Sequence, residues 1–120
     1  MKTTLLAKSS SGEPYTVEFA TEESRLRIFC HCQAGVLHRM CKHKKAFIEG
    51  DVSMLFDANQ AELLAQIRSR PEFKILHKHF QTYAKELAEV EKSIQELEKK
   101  EKELKAKLGK GLSFGFASAE

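Results

Sequence analysis

Residues 30–43 read Cys30-His31-Cys32-Gln33-Ala34-Gly35-Val36-Leu37-His38-Arg39-Met40-Cys41-Lys42-His43, and this window holds all 3 cysteines of the 120-residue chain. An odd cysteine number in a chain without an export signal argues against a disulfide framework and for thiolates that bind metal. Cys30 and Cys32 are two apart at the end of a strand-like alternation, so both sulfurs point the same way and can reach one ion. Cys41 and His43 supply a second close pair, and the intervening residues, with Gly35 for a turn, are long enough to bring it back. Three thiolates and one imidazole match the closed tetrahedral shell of structural Zn2+, which leaves no position for a catalytic water. His31, between the two strand cysteines, should face the opposite side. His38 stays open as an alternative to His43. Cysteines buried simply as small apolar residues are the competing reading, and three of them in one window with ligand spacing weigh against it.

Upstream, residues 3–7 form a short apolar run that predicts a strand, and Ser9-Ser10-Ser11-Gly12-Glu13-Pro14 breaks it. Tyr15, Val17 and Phe19 alternate with polar residues, and after the polar turn at residues 21–24 the alternation resumes with Leu26 and Ile28, which predicts a hairpin. So small a sheet is not stable alone and needs a helix or a staple. Downstream, residues 42–49 suit a short helix ended by Gly50. Residues 1–50 thus read as a small zinc-stapled ββα unit, of a size at which a structural metal commonly substitutes for a larger core. A connecting helix is expected within residues 51–70, opened by an Asn59/Glu62 capping box and stopped before Pro71. Pro71 sits well in the first turn of a third helix, with Ser69 and Glu72 as its cap. The fold class is therefore α+β, ending in a long helix.

The pattern Cys30-x-Cys32, eight residues, Cys41-x-His43, preceded by a hairpin and followed by Lys44, Lys45, Ala46 and Phe47, resembles the SWIM zinc finger, whose C-x-C and C-x-H pairs lie in a ββα setting. Cys41-Lys42-His43 matches the CKH text frequent in that family. The resemblance covers roughly residues 15–49. It implies a module that binds DNA or protein without catalysis, as in Swi/Snf-type helicases and Mutator-like transposases, and it favours His43 over His38 as the fourth ligand. A Cys3His zinc site carries a net charge of about −1. Arg39, Lys42, Lys44 and Lys45 offset that charge, and with Arg25 and Arg27 they are the candidate phosphate-facing surface.

From Phe73 the apolar residues recur in steps of three and four, through Leu87, Val90, Ile94, Leu97, Leu104 and Leu108, with Glu101 in one position of the series. This heptad pattern predicts a coiled-coil helix over residues 71–108, about 55 Å long at 1.5 Å per residue. Such a stripe must be buried, so a homo-oligomer is expected, a dimer with antiparallel chains preferred. A parallel pair would oppose Glu86 to Glu91 and Lys100 to Lys105. His77, His79 and the Lys/Glu run are expected to be solvated surface. Residues 109–120, rich in Gly and Ser, read as a flexible tail in which Phe114 and Phe116 can dock.

The 20 Lys+Arg against 17 Asp+Glu, a formal net charge of +3, fit nucleic-acid contact without demanding it. No apolar run approaches a membrane span and the start lacks a secretory apolar segment, so a cytoplasmic, reducing location is expected. No phosphate-binding Gly-rich loop and no nucleophile-base pair is present, so no catalytic residue is assigned and an enzyme is not expected. The leading expectation is a zinc-binding module that contacts nucleic acid or protein and is oligomerised by its helix. The alternative is an adaptor in which zinc only stabilises the fold while helix and tail capture a partner.

Overall fold

The computed structural model describes residues 1–117. Three strands, β1 (Lys2–Ala7), β2 (Tyr15–Glu22) and β3 (Arg25–Cys30), form one antiparallel sheet in the order β1-β2-β3. Helices α1 (Gln33–Val36), α2 (Lys42–Glu49), α3 (Ala61–Arg68) and α4 (Pro71–Phe114) follow, with 3₁₀ turns at Val52–Met54 and Ala58–Gln60. The α+β class read from the sequence holds. The chain divides into two units, Met1–Phe80 and Gln81–Glu120.

In the first unit, the pairing of Leu5 with Val17 and of Val17 with Cys30 puts one residue set on one face of the sheet. Leu5, Ala7, Val17, Phe19, Leu26 and Cys30 are buried there, while Arg25, Arg27 and Phe29 alternate to the other face. The β2–β3 turn has only two central residues, Glu23 and Ser24, both with positive φ (51° and 63°), the I′ geometry that matches the twist of a hairpin. Phe47 and Ile48 of α2, Leu64 and Ile67 of α3 and Phe73 of α4 complete the core, with Leu76 and Phe80 packed against it. Fully burying a side chain such as Phe47 or Leu64 is worth about 1.5–3 kcal/mol, so the core does not rest on the cysteine cluster alone.

The Leu6–Lys8 end of the free edge of β1 is closed by the chain after α2. Ala7 bridges Leu55, Lys8 N–H donates to the Met54 carbonyl (2.9 Å), Phe56 N–H donates to the Leu6 carbonyl (2.9 Å), and the Gln60 side-chain oxygen accepts from Leu6 N–H (2.9 Å). The edge groups of Leu6 and Lys8 are thereby satisfied within the chain instead of inviting another strand.

Several local expectations are corrected. Asn59 does not cap α3: it lies inside a 3₁₀ turn whose own cap is Asp57, and α3 starts after Gln60 without a side-chain cap. Ser69 does not cap α4, because its hydroxyl donates back to the Gln66 carbonyl (2.7 Å), while Glu72 pairs with Arg70 at 3.0 Å. His77 is not a plain solvated residue, since its ring stacks on Phe73 at 5.5 Å. Helix α4 continues to Phe114, through the first part of the tail expected at residues 109–120. Gly109 and Gly111 each cost about 1 kcal/mol in a helix but do not forbid one, and the turn comes at Gly115 (φ 87°), whose N–H donates to the Gly111 carbonyl. Phe114 is exposed and the Phe116 ring lies against Gly111. Residues 118–120 of the expected tail lie outside the described residues. No helix among the described residues is long and apolar enough to cross a membrane.

Helix α2 ends at Gly50 in the left-handed region (φ 79°), with the Arg68 guanidinium 2.6 Å from where a Cβ would stand. Gly50→Ala is expected to destabilise the chain by about 1 kcal/mol or more, read as a lowered urea midpoint at unchanged m-value.

Candidate metal centre

Cys30 ends β3, Cys32 caps the N-terminus of α1, Cys41 caps the N-terminus of α2 and His43 lies in the first turn of α2. Three short elements thus meet at one point, and the four ligand atoms all lie within 4.8 Å of one another. Cys30, Cys32 and His43 are buried and Cys41 is partly so. In a tetrahedral shell with Zn–S near 2.3 Å and Zn–N near 2.0 Å, ligand atoms stand about 3.5–3.8 Å apart. Cys30 Sγ and His43 Nδ1 are already 3.6 Å apart, and small side-chain rotations close the wider pairs. The cluster can hold one metal ion, and its donor set suits zinc.

The surroundings prepare the donors for this. His43 Nε2 lies 3.0 Å from the Lys8 carbonyl. A carbonyl oxygen only accepts, so Nε2 carries the proton and the Nδ1 lone pair faces the three sulfurs, the arrangement that orients metal-bound histidines generally. The Tyr15 ring, 5.2 Å away, packs on the imidazole. Gly35 N–H donates to Cys32 Sγ (3.3 Å) and Lys44 N–H to Cys41 Sγ (3.4 Å), so two sulfurs receive backbone donors at helix starts.

The acid–base properties follow. Burial pushes the Cys30 thiol up to about 12, and the neighbouring Cys41 and Cys32 add to this. Burial also raises Cys32, but the N–H donors of Gly35 and Ala34 and the thiols of Cys30 and Cys41 outweigh it, and the net direction is down. Burial lowers His43 and the Lys42 charge adds to this, against the opposing Lys8 carbonyl, so the imidazole is neutral at pH 7, as a ligand must be.

Gly35 has a different role from the turn expected of it. It lies within α1, where a Cβ would fall 1.9 Å from the Cys30 carbonyl oxygen. Only a residue without a side chain lets α1 approach β3 closely enough for Cys32 and Cys30 to converge. His38, at φ 58° after α1, is held elsewhere: its ring stands 6.1 Å from Phe29, which in turn contacts His31 at 4.9 Å. The fourth donor is His43.

The six basic candidates come from β3, the loop before α2 and α2 itself. Arg39 and Lys42 line an open cleft of ≈ 560 Å³ over the cluster, together with Ser9, Ser10 and Tyr15. Lys44 reaches the Arg39 carbonyl (3.2 Å), and Lys45 follows Lys42 by three positions on α2. Arg25 and Arg27 sit on the opposite sheet face from Cys30, where Arg27 pairs with Glu22. Sequence reasoning missed α1 and the Lys8 carbonyl. A backbone acceptor has no residue-type signal, and Gly35 was the sole mark of α1. The chain matches no family model, no curated protein and no solved structure.

Two outcomes follow. At neutral pH the Cys30 proton must be displaced by an incoming metal, so apparent Zn2+ affinity should rise about tenfold per pH unit for each proton released, measured by chelator competition between about pH 6 and pH 8. His43, already neutral, adds to the slope only at the acid end. Gly35→Ala should lower affinity by roughly tenfold or more, as loss of a supporting contact does at metal sites. An unaltered affinity would show that α1 does not set the cluster.

Proposed function

We propose that this chain is a non-enzymatic zinc-binding module of the SWIM kind that binds nucleic acid through the basic rim of its zinc unit, and that α4 pairs two chains. The observation that carries the zinc reading is the convergence of Cys30, Cys32, Cys41 and His43 within 4.8 Å, with the imidazole oriented by the Lys8 carbonyl. Three thiolates and an imidazole fill a tetrahedral shell, which supports a structural role over a catalytic one. The SWIM reading is supported by the same four residues following a hairpin and preceding α2.

For nucleic acid, the support is local charge. Arg39 and Lys42 flank the open cleft, with Lys44 and Lys45 beside them, and among the described residues no acidic one lines that cleft. Lysine and arginine so placed neutralise phosphates and release counterions. Arg25 and Arg27, on the other sheet face, are left out of this surface.

A second reading, capture of a protein, is favoured by one observation. The end of α1 and the loop that follows it expose Val36, Leu37 (56%) and Met40 (53%) beside Arg39, three large apolar side chains in five residues that lie outside the buried core. Fluorescence anisotropy of zinc-loaded protein with single-stranded and duplex oligonucleotides over a salt series separates the two. Nucleic-acid binding should weaken with salt with a slope of roughly −2 to −4, and Arg39→Ala and Lys42→Ala should each reduce that slope by about 1. Absence of binding at low salt, or binding indifferent to salt, removes the nucleic-acid reading and leaves the protein-binding one.

A further inference from the structure

In the second unit α4 exposes an apolar stripe, interrupted once by Glu101: Leu87 (57%), Val90, Ile94 (47%), Leu97 (66%), Leu104 and Leu108. Two features of the same helix say what covers it. The first is the distribution of charge. Residues 84–98 hold Glu86, Glu89, Glu91, Glu96 and Glu98 against Lys85 and Lys92, a net −3, whereas residues 99–113 hold Lys99, Lys100, Lys102, Lys105, Lys107 and Lys110 against Glu101 and Glu103, a net +4. The helix macrodipole does not account for this, because its influence is confined to the first and last turns and residues 84–98 lie in the interior of Pro71–Phe114. The second is Glu101, which occupies a seam position and is held by Lys105 of its own helix at 3.1 Å.

From these we infer that α4 closes on a second copy of this chain in antiparallel orientation, with residues 84–92 of the acidic stretch of each helix against residues 99–107 of the basic stretch of the other. The inference rests on the reading of the stripe as a pairing seam and adds its direction. A parallel, in-register pair stacks like on like along both stretches and sets Glu101 against Glu101 in the seam, a repulsion that costs most where water is excluded. An antiparallel pair centred between Ile94 and Leu97 opposes Ile94 to Leu97, Leu87 to Leu104 and Tyr83 to Leu108 of the second copy. It brings Glu86 beside Lys107 and moves Glu101 opposite Val90. Each exposed charge pair contributes little alone, and near the centre Glu98 of one copy lies close to Glu91 of the other, but the opposition of residues 84–92 (net −1) to residues 99–107 (net +3) favours this direction, and the like-charge stacking of the parallel pair selects against the other.

The test uses full-length, zinc-loaded protein. Sedimentation velocity at about 50 μM should show a dimer. A spin label on Lys85→Cys, a position on the side of α4 away from the seam, reports direction by electron–electron distance, with labelled wild type as the control for the native cysteines. In the antiparallel pair, Lys85 of one copy lies level with residue 106 of the other, so the two labels are separated by about 30 Å along the axis at 1.5 Å per residue. A parallel pair holds them within about 20 Å, given helix axes 8–10 Å apart. A dimer with the long distance bears the inference out. A dimer with the short distance overturns the antiparallel arrangement while leaving the pairing seam standing. A monomer at this concentration overturns both, without touching the zinc or nucleic-acid readings.

Discussion

The first unit depends on bringing Cys30, Cys32, Cys41 and His43 to one point, and that convergence depends on how closely α1 approaches the end of β3. At Gly35 the α1 backbone passes so near the Cys30 carbonyl that no side chain fits between them. From this contact the rest follows. Cys32 is drawn to the same side as Cys30, the chain returns so that Cys41 caps α2, and the first turn of α2 swings His43 under the Lys8 carbonyl. β1, β3, α1 and α2 are thereby tied together through one cluster of four side chains.

The cluster and the apolar core are mechanically linked, because two residues belong to both. Cys30 and Cys32 are part of the cluster and also of the contiguous buried set that includes Phe19, Phe47 and Phe73. α2 contributes His43 to one and Phe47 and Ile48 to the other. A disturbance at the cluster is therefore transmitted to the sheet–helix packing, and closely packed interiors do not absorb such shifts cheaply. The burial that makes Cys30 a core residue is also what raises its thiol, so holding a metal there means displacing a tightly held proton.

The two units obey different physical rules. In Met1–Phe80 a set of apolar residues including Phe19, Phe47 and Phe73 is covered by the chain itself, and the Leu6–Lys8 end of the β1 edge is satisfied by residues 54–60. In Gln81–Glu120 the large apolar side chains of α4 stand about half exposed or more. A single helix has no second element to cover its own stripe. The proposed division of labour, with recognition at the basic rim and pairing along the helix, follows this contrast.

Much of this was legible in residue spacing. The two cysteine pairs, the alternation of Val17, Phe19, Leu26 and Ile28, Gly50 as a helix stop and the heptads of α4 are local patterns with one physical interpretation each, and each has its counterpart in the structure. The sequence by itself determined which residue types are available as ligands and which faces are apolar. Only the tertiary structure decided which partner each group meets. It placed His38 against Phe29 and left His43 as the fourth donor, put Arg25 and Arg27 on the sheet face opposite Cys30, and set Asn59 and Ser69 in roles other than the caps their spacing suggested. These outcomes turn on backbone groups such as the Lys8 carbonyl and the Cys30 carbonyl. Every residue carries such a group, so only the folded path of the chain can single one out.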